Sequence, residues 1–304
     1  MLNTVSKAGK ILNLFSFKQP EWGVSEIAKL LDISKSTASE IMTTLAEAGL
    51  LTRTRSGRYR LGWRLFELSQ VLLDNTDFCT VARLAMQELV ERWGETTHLA
   101  VLEGAHVIYV EKLQATPAVQ ILLSRVGARL PAHCSGVGKV LLAYQDWQKV
   151  AELMGEQEMR AFTPNTITCL DALATELAGV RAQGFAFDHE EVALGLCCVA
   201  APIYDVEERI IAAISMSIPA YRFYPQQDNY TSIILKTACH ISENLGYREK
   251  KPNHAGKTLD RAASNKTGTE RTTGKQTAGD RVGVFPRAGV NPAPTGLHLV
   301  TESR

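Results

Sequence analysis

The chain has 304 residues and 45% apolar content, enough for two domains that each bury a core, and no run of about 18 apolar residues that could cross a bilayer. Its net charge of +1 hides an asymmetry: residues 1–64 carry ten basic and five acidic groups, residues 65–246 twelve and twenty-two, and residues 247–304 eleven and five. A basic first segment on an acidic body points to an anionic partner bound by that segment, and with no apolar span no membrane partner is expected.

The opening stretch MLNTVSKAGKILNLF lacks a continuous apolar core and a small-residue cleavage site, so a cytoplasmic protein is expected. Cysteines at 79, 134, 169, 197, 198 and 239 form no CxxC pair and no zinc spacing. Reduced thiols are expected, with no metal and no cofactor.

In chain order, Ile11, Leu12, Leu14 and Phe15 fall at helical spacing before Pro20, Trp22 and Gly23 break the pattern. Ser25 is placed to cap a second helix with Ile27, Leu30 and Leu31 on its buried stripe. After the short link Leu31-Asp32-Ile33, Ser34 caps a third helix that buries Ala38, Ile41, Met42 and Leu45 and ends near Gly49. The other face of that helix carries Lys35, Ser36, Thr37, Ser39, Glu40, Thr43 and Thr44, short polar side chains able to lie close to phosphates and base edges. Leu50–Leu61 then alternates around Ser56-Gly57 as a hairpin bearing Arg53, Arg55, Arg58 and Arg60. Each piece alone reads more readily as a surface helix or a solvated hairpin. The order helix, helix-turn-helix, basic wing points to binding of double-stranded DNA.

Residues 65–76 predict a linker helix, with Leu65, Leu68 and Leu72 at helical spacing. Residues 77–246 predict a mixed domain. It has a helix at 77–92, two strands in THLAVLEGAHVIYVEKL around Glu103-Gly104, and a strand in VQILLS. Helices follow at 137–145, 147–154 and 171–183, then strands near 185–188, 197–204 and 209–217 and a final helix at 228–245. Strands mixed with helices but without regular βαβ alternation give an α+β class with a largely antiparallel sheet. Residues 247–304, rich in Thr, Gly, Ala, Lys and Arg, read as a disordered basic tail.

Two features of this domain leave alternatives open. His133-Cys134-Ser135-Gly136-Val137-Gly138-Lys139 leads from a loop into a helix; it is a plain helix start, or its N–H groups hold an anion. Ser215 and Ser217 share one sheet face within an apolar strand, and their hydroxyls bond to neighbouring backbone or converge on a polar ligand.

The segments SEIAKLLDISKSTASEIMTTLAEAGLL and GRYRLGWRLFEL, then RLPAHCSGVGKVLLA, GFAFDHEEVALGLCCVAAPIYD and IIAAISMSIP, together resemble the IclR-type bacterial transcriptional regulators, in order over about residues 3–246. The resemblance implies a winged helix-turn-helix at 1–64 and a GAF/PAS-like effector-binding domain at 77–246. It also implies homodimers paired through the DNA-binding domains, or dimers of dimers, on an operator of two half-sites. DNA contacts are expected from Lys35, Ser36, Thr37, Ser39, Glu40, Thr43, Arg53, Arg55 and Arg58. Two positions depart from the family pattern: Glu40 stands where a basic residue is usual, and Lys7 where an Arg is usual. A carboxylate at 40 repels phosphate but accepts from a cytosine amino group, so a different operator sequence is expected.

Allantoin-pathway regulators of this family place a small oxo-acid against positions that fall here on Gly136, Val137, Asp188, Leu196, Cys198, Ser215 and Ser217. The expected function is therefore a DNA-binding regulator, acting as a repressor, whose operator binding responds to a small carboxylate or oxo-acid. One alternative is a second domain that mediates only protein contacts. A remoter one is a hydrolase using Cys134 or Cys198 with His98, His133 or His189 as base; no cysteine lies in a hydrolase signature, and no catalytic residue is assigned.

Overall fold

The computed structural model describes residues 3–74, 77–114, 124–156 and 158–248. Residues 119–123 of the predicted strand VQILLS, and the tail beyond Arg248, lie outside the described residues.

The first part of the chain runs α1 (Asn3–Leu12), β1 (Glu21–Trp22), α2 (Val24–Leu30), α3 (Lys35–Glu47), β2 (Leu51–Arg53) and β3 (Tyr59–Leu61). The helices close over Ile11, Ile27, Ala38, Ile41, Met42 and Leu45, with Leu51 and Tyr59 of the hairpin completing the core. The strand order is β1-β3-β2, all antiparallel. The break at Trp22 therefore holds a short strand that sequence periodicity does not show, because two residues are too few to alternate. Its indole donates to the Leu14 carbonyl at 3.0 Å.

The expected cap of α2 is corrected. Gly23, not Ser25, is the N-cap residue, and its backbone N–H is taken by the Glu26 carboxylate at 2.9 Å. Ser34 does cap α3, accepting from the Thr37 N–H at 3.1 Å. Between the two helices Asp32 adopts φ +52°, a left-handed turn that a short polar side chain tolerates.

The chain continues through α4 (Arg64–Asp74) and α5 (Asp77–Trp93) into β4 (Thr96–Glu103), β5 (His106–Leu113) and β6 (Arg129–Pro131). Then come α6 (Gly136–Ala143), α7 (Trp147–Gly155), α8 (Leu170–Gln183), β7 (Ala186–His189), β8 (Leu196–Tyr204), β9 (Ile210–Pro219), α9 (Ala220–Phe223) and α10 (Gln227–Asn244). Six strands in the order β6-β5-β4-β9-β8-β7 form one wholly antiparallel sheet. Residues alternate between its faces with period two. Leu99, Cys197, Val199, Ile214, Met216 and Ile218 pack towards α5 and α10, while Ala100, Ala186, Ala200 and Ala213 pack with α6 and α8.

Candidate DNA-binding and effector sites

On α3 the side chains of Lys35, Ser36, Glu40 and Thr43 are exposed, and those of Thr37 and Ser39 half-buried. The first turn is tied together by the Ser34 hydroxyl, which lies 2.8 Å from both the Ser36 and Thr37 hydroxyls. Thr44 folds back on the Glu40 carbonyl at 2.9 Å, and Thr43 lies 3.5 Å from the Tyr59 hydroxyl of the wing. Arg53 and Arg55 stand exposed on the hairpin, whose turn is closed at Gly57 with φ +79°.

Arg58 differs from its neighbours. Its guanidinium donates to both Glu26 carboxylate oxygens, at 3.0 and 2.7 Å, and to the Glu21 carbonyl at 3.0 Å. That fork holds Glu26 below the usual carboxylate range and fastens the wing to α2. The expectation that Arg58 reaches DNA meets a side chain already engaged within the protein.

In the second region Ser135 caps α6: its hydroxyl accepts from the Gly138 N–H at 3.1 Å. Gly136 and Val137 are left to present the remaining N–H groups of the first turn. Close approach makes the packing tight at Gly136 and requires a glycine at 138. A Cβ on Gly136 would lie 3.3 Å from the Ala200 Cβ and 3.5 Å from the Ala186 carbonyl oxygen, and one on Gly138 would overlap the Ala132 carbonyl. The helix start is thereby pressed against β7 and β8, beside Asp188.

Asp188 is buried, and burial first, then the Glu191 carboxylate, raises its pKa to about 7. Its Oδ1 accepts from the Glu191 N–H at 2.7 Å. Cys198 faces Ser217 across the β8–β9 ladder, sulfur to hydroxyl oxygen 3.0 Å, and Ser215 faces Ala200 on β8 and His98 on β4. Gly136, Asp188, Cys198, Ser215 and Ser217 thus share the α6 side of the sheet. Val137 is buried on α6, and Leu196 begins β8 opposite Pro219.

Sequence reasoning missed three parts of this region. Lys139, on α6, is buried and bridges Glu176 at 2.8 Å and Glu191 at 2.5 Å, pinning the helix to α8 and to the segment after β7. Tyr109 packs on His98 with ring centroids 5.1 Å apart. For His98 the sequence offers only the role of a hydrolytic base. A lysine within an otherwise apolar helix, GVGKVLLA, was the readable signal for the first. The other two needed the strand register.

Comparison with known proteins places this geometry. The model described as "Bacterial transcriptional regulator IclR C-terminal" matches residues 70–243, and "IclR helix-turn-helix domain" matches residues 4–55. The chain belongs to the IclR family of bacterial transcriptional regulators. Among relatives, the regulator XynR of Escherichia coli is 35% identical over 249 residues, covering 81% of this chain and 98% of XynR. The repressor AllR of Klebsiella pneumoniae is 31% identical over 229 residues, covering 74% of this chain and 83% of AllR. Among solved structures, an IclR homologue from Microbacterium hydrocarbonoxydans complexed with 4-hydroxybenzoate superposes with a TM-score of 0.70 at 28% identity, covering 80% and 99% of the two chains.

Cys134 and Cys198, the two candidate nucleophiles, are poorly prepared for that chemistry. Burial pushes Cys134 up to about 12 and Cys198 well above its usual value, and the Cys134 thiol donates to the Pro131 carbonyl at 3.2 Å. Among the described residues, no helix is long and apolar enough to cross a membrane, and no cluster of three or more acidic, His or Cys side chains is arranged to hold a metal.

Proposed function

We propose that this IclR regulator is a cytoplasmic repressor that releases its operator when a small carboxylate or oxo-acid binds between the start of α6 and the β8–β9 face. The observation carrying this reading is the close approach of the Gly136 helix start to β7 and β8 beside Asp188, on the sheet side that also carries Cys198, Ser215 and Ser217. Helix N–H groups favour a carboxylate, the Ser215 hydroxyl serves another of its oxygens, and Val137 and Leu196 supply apolar walls. The 4-hydroxybenzoate bound to the Microbacterium homologue is itself a small carboxylate.

DNA is read by the exposed face of α3, with Ser36, Thr37, Ser39 and Glu40 near base edges and Lys35, Thr43, Arg53 and Arg55 on the backbone. The protein acts as a dimer or a dimer of dimers. Supporting this, the α4 region presents Trp63, Phe66 and Leu68 at its surface, exposed apolar side chains of the kind an interface between copies covers.

Operator binding followed by fluorescence anisotropy, with and without a panel of small carboxylic and oxo-acids, tests the reading. At least one acid should weaken binding, and sedimentation should show a dimer or tetramer. DNA affinity indifferent to every acid would favour a second domain that serves only protein contacts.

A further inference from the structure

Polar side chains line up across the middle of the sheet on the α6 side. His98 on β4 is in register with Ser215 on β9, and two residues further along β9, Ser217 is in register with Cys198 on β8. The Cys198 sulfur lies 3.0 Å from the Ser217 hydroxyl, which lies 3.4 Å from His98 Nδ1. Acceptor strength sets the direction of this relay. An imidazole nitrogen accepts far better than a thiol sulfur, so the Ser217 hydroxyl donates to Nδ1. With Nδ1 accepting, the ring proton is assigned to Nε2.

Complete burial, with Lys112 nearby, pulls the His98 pKa down to about 3, so the ring is a neutral donor throughout the physiological range. Tyr109 packs against the ring and limits its freedom to turn. Nε2 is buried and has no hydrogen-bond partner among the described residues. An unpaired buried donor in a native protein calls for a reason, and a ligand acceptor supplies one.

We infer that His98 is a specificity-determining residue of the effector site, donating from Nε2 to a second oxygen function of the ligand, the oxo or hydroxyl oxygen of an oxo- or hydroxy-carboxylate. This rests on the effector-site reading above. The carboxylate lies against the α6 start and the second oxygen against β4, so a plain carboxylate of equal length satisfies only one end of the site.

Calorimetric titration of the full chain with matched pairs, pyruvate against propionate and glycolate against acetate, reads this directly. The wild type should prefer the oxygen-bearing member of a pair by about tenfold, the loss expected for one unmade buried hydrogen bond. His98→Phe, which keeps a ring but no donor, should abolish the preference, and His98→Gln, which restores an N–H donor, should recover part of it. Nitrogen-edited NMR of the wild-type imidazole needs no variant to fold. It should report the Nε2–H tautomer in the free protein and a shift of Nε2 when the preferred acid is added. An acid that binds with the same preference in His98→Phe, leaving the Nε2 resonance unmoved, overturns the role of His98 while the pocket stands. Failure of every acid to bind the wild type overturns both.

Discussion

The two faces of the six-stranded sheet are built from the same strands and differ only in which alternate residue they expose. Towards α5 and α10 stand Leu99, Val199, Ile203, Ile214, Met216 and Ile218; towards α6 stand His98, Ala100, Ala200, Ala213, Ser215 and Ser217. One face is filled with large side chains that interdigitate with helices. The other is lined with small and polar ones, so that the start of α6 lies close to a polar floor. Period-two alternation thus separates an apolar packing face from the face proposed for recognition within a single strand, and neighbouring residues should answer to different assays.

The largest stability effect should come from the clamp that holds α6 over the polar floor. Lys139→Met removes the cation bound to the buried Glu191, whose Oε2 already lacks a partner among the described residues, and should cost about 3–5 kcal/mol in urea denaturation. Next comes the apolar face, where Ile214→Ala deletes a fully buried side chain and should cost about 2–5 kcal/mol in the same measurement. Its neighbour should behave oppositely. Ser215→Ala should change the unfolding midpoint little, yet cost about 1–3 kcal/mol of acid binding by calorimetry, because the ligand oxygen it serves goes unpaired. Equal stability losses at 214 and 215, with acid binding intact, would break the comparison between the faces.

This contrast was partly legible in the sequence. The alternation of IIAAISMSI put Ser215 and Ser217 on one face, and the Ser34 cap and apolar stripe of α3 follow from local spacing. Strand neighbours did not follow. Nothing local pairs His98 with Ser215 across more than a hundred residues, so a lone histidine in an apolar strand gave no sign of its place beside the serines. Arg58 was unreadable for the same reason: its partner Glu26 lies thirty-two residues earlier, and a basic hairpin gives no hint of which arginine is already engaged. The Gly23 cap was hidden because a glycine offers no side chain, and the carboxylate that serves it comes from Glu26 in the following turn.

The pH response sharpens the comparison from the polar side. Asp188, raised to about 7 by burial and by Glu191 and partly relieved by Lys139, is the pocket group that titrates near neutrality. His98 stays neutral, and the Cys134, Cys198 and Tyr109 groups titrate far above. A bound carboxylate beside Asp188 disfavours its ionised form, so the complex holds the proton to higher pH than the free protein does. Affinity should be flat below the free value and fall as pH rises through it, by at most about tenfold per unit. Titrations between about pH 6 and about pH 8.5 should show this fall in the wild type. In Asp188→Asn the slope should vanish; a slope that persists would move the proton uptake elsewhere.

The smallest effect extends the same division of labour to the wing, where exposed Arg53 and Arg55 stand apart from Arg58, which is bound to Glu26 and the Glu21 carbonyl. A guanidinium that neutralises a phosphate releases a counterion, so its removal flattens the dependence of log affinity on log salt by about one unit. Arg55→Ala should do this on operator and unrelated duplexes alike, since a backbone contact carries no sequence information. Arg58→Ala should leave the salt slope nearly unchanged, because its charge is already met by Glu26, and should instead lower the thermal midpoint slightly by freeing the wing from α2. Anisotropy titrations at several salt concentrations distinguish the two arginines. If Arg58→Ala flattened the slope as much as Arg55→Ala, the Glu26 fork would have to open on DNA, and Arg58 would count among the phosphate contacts after all.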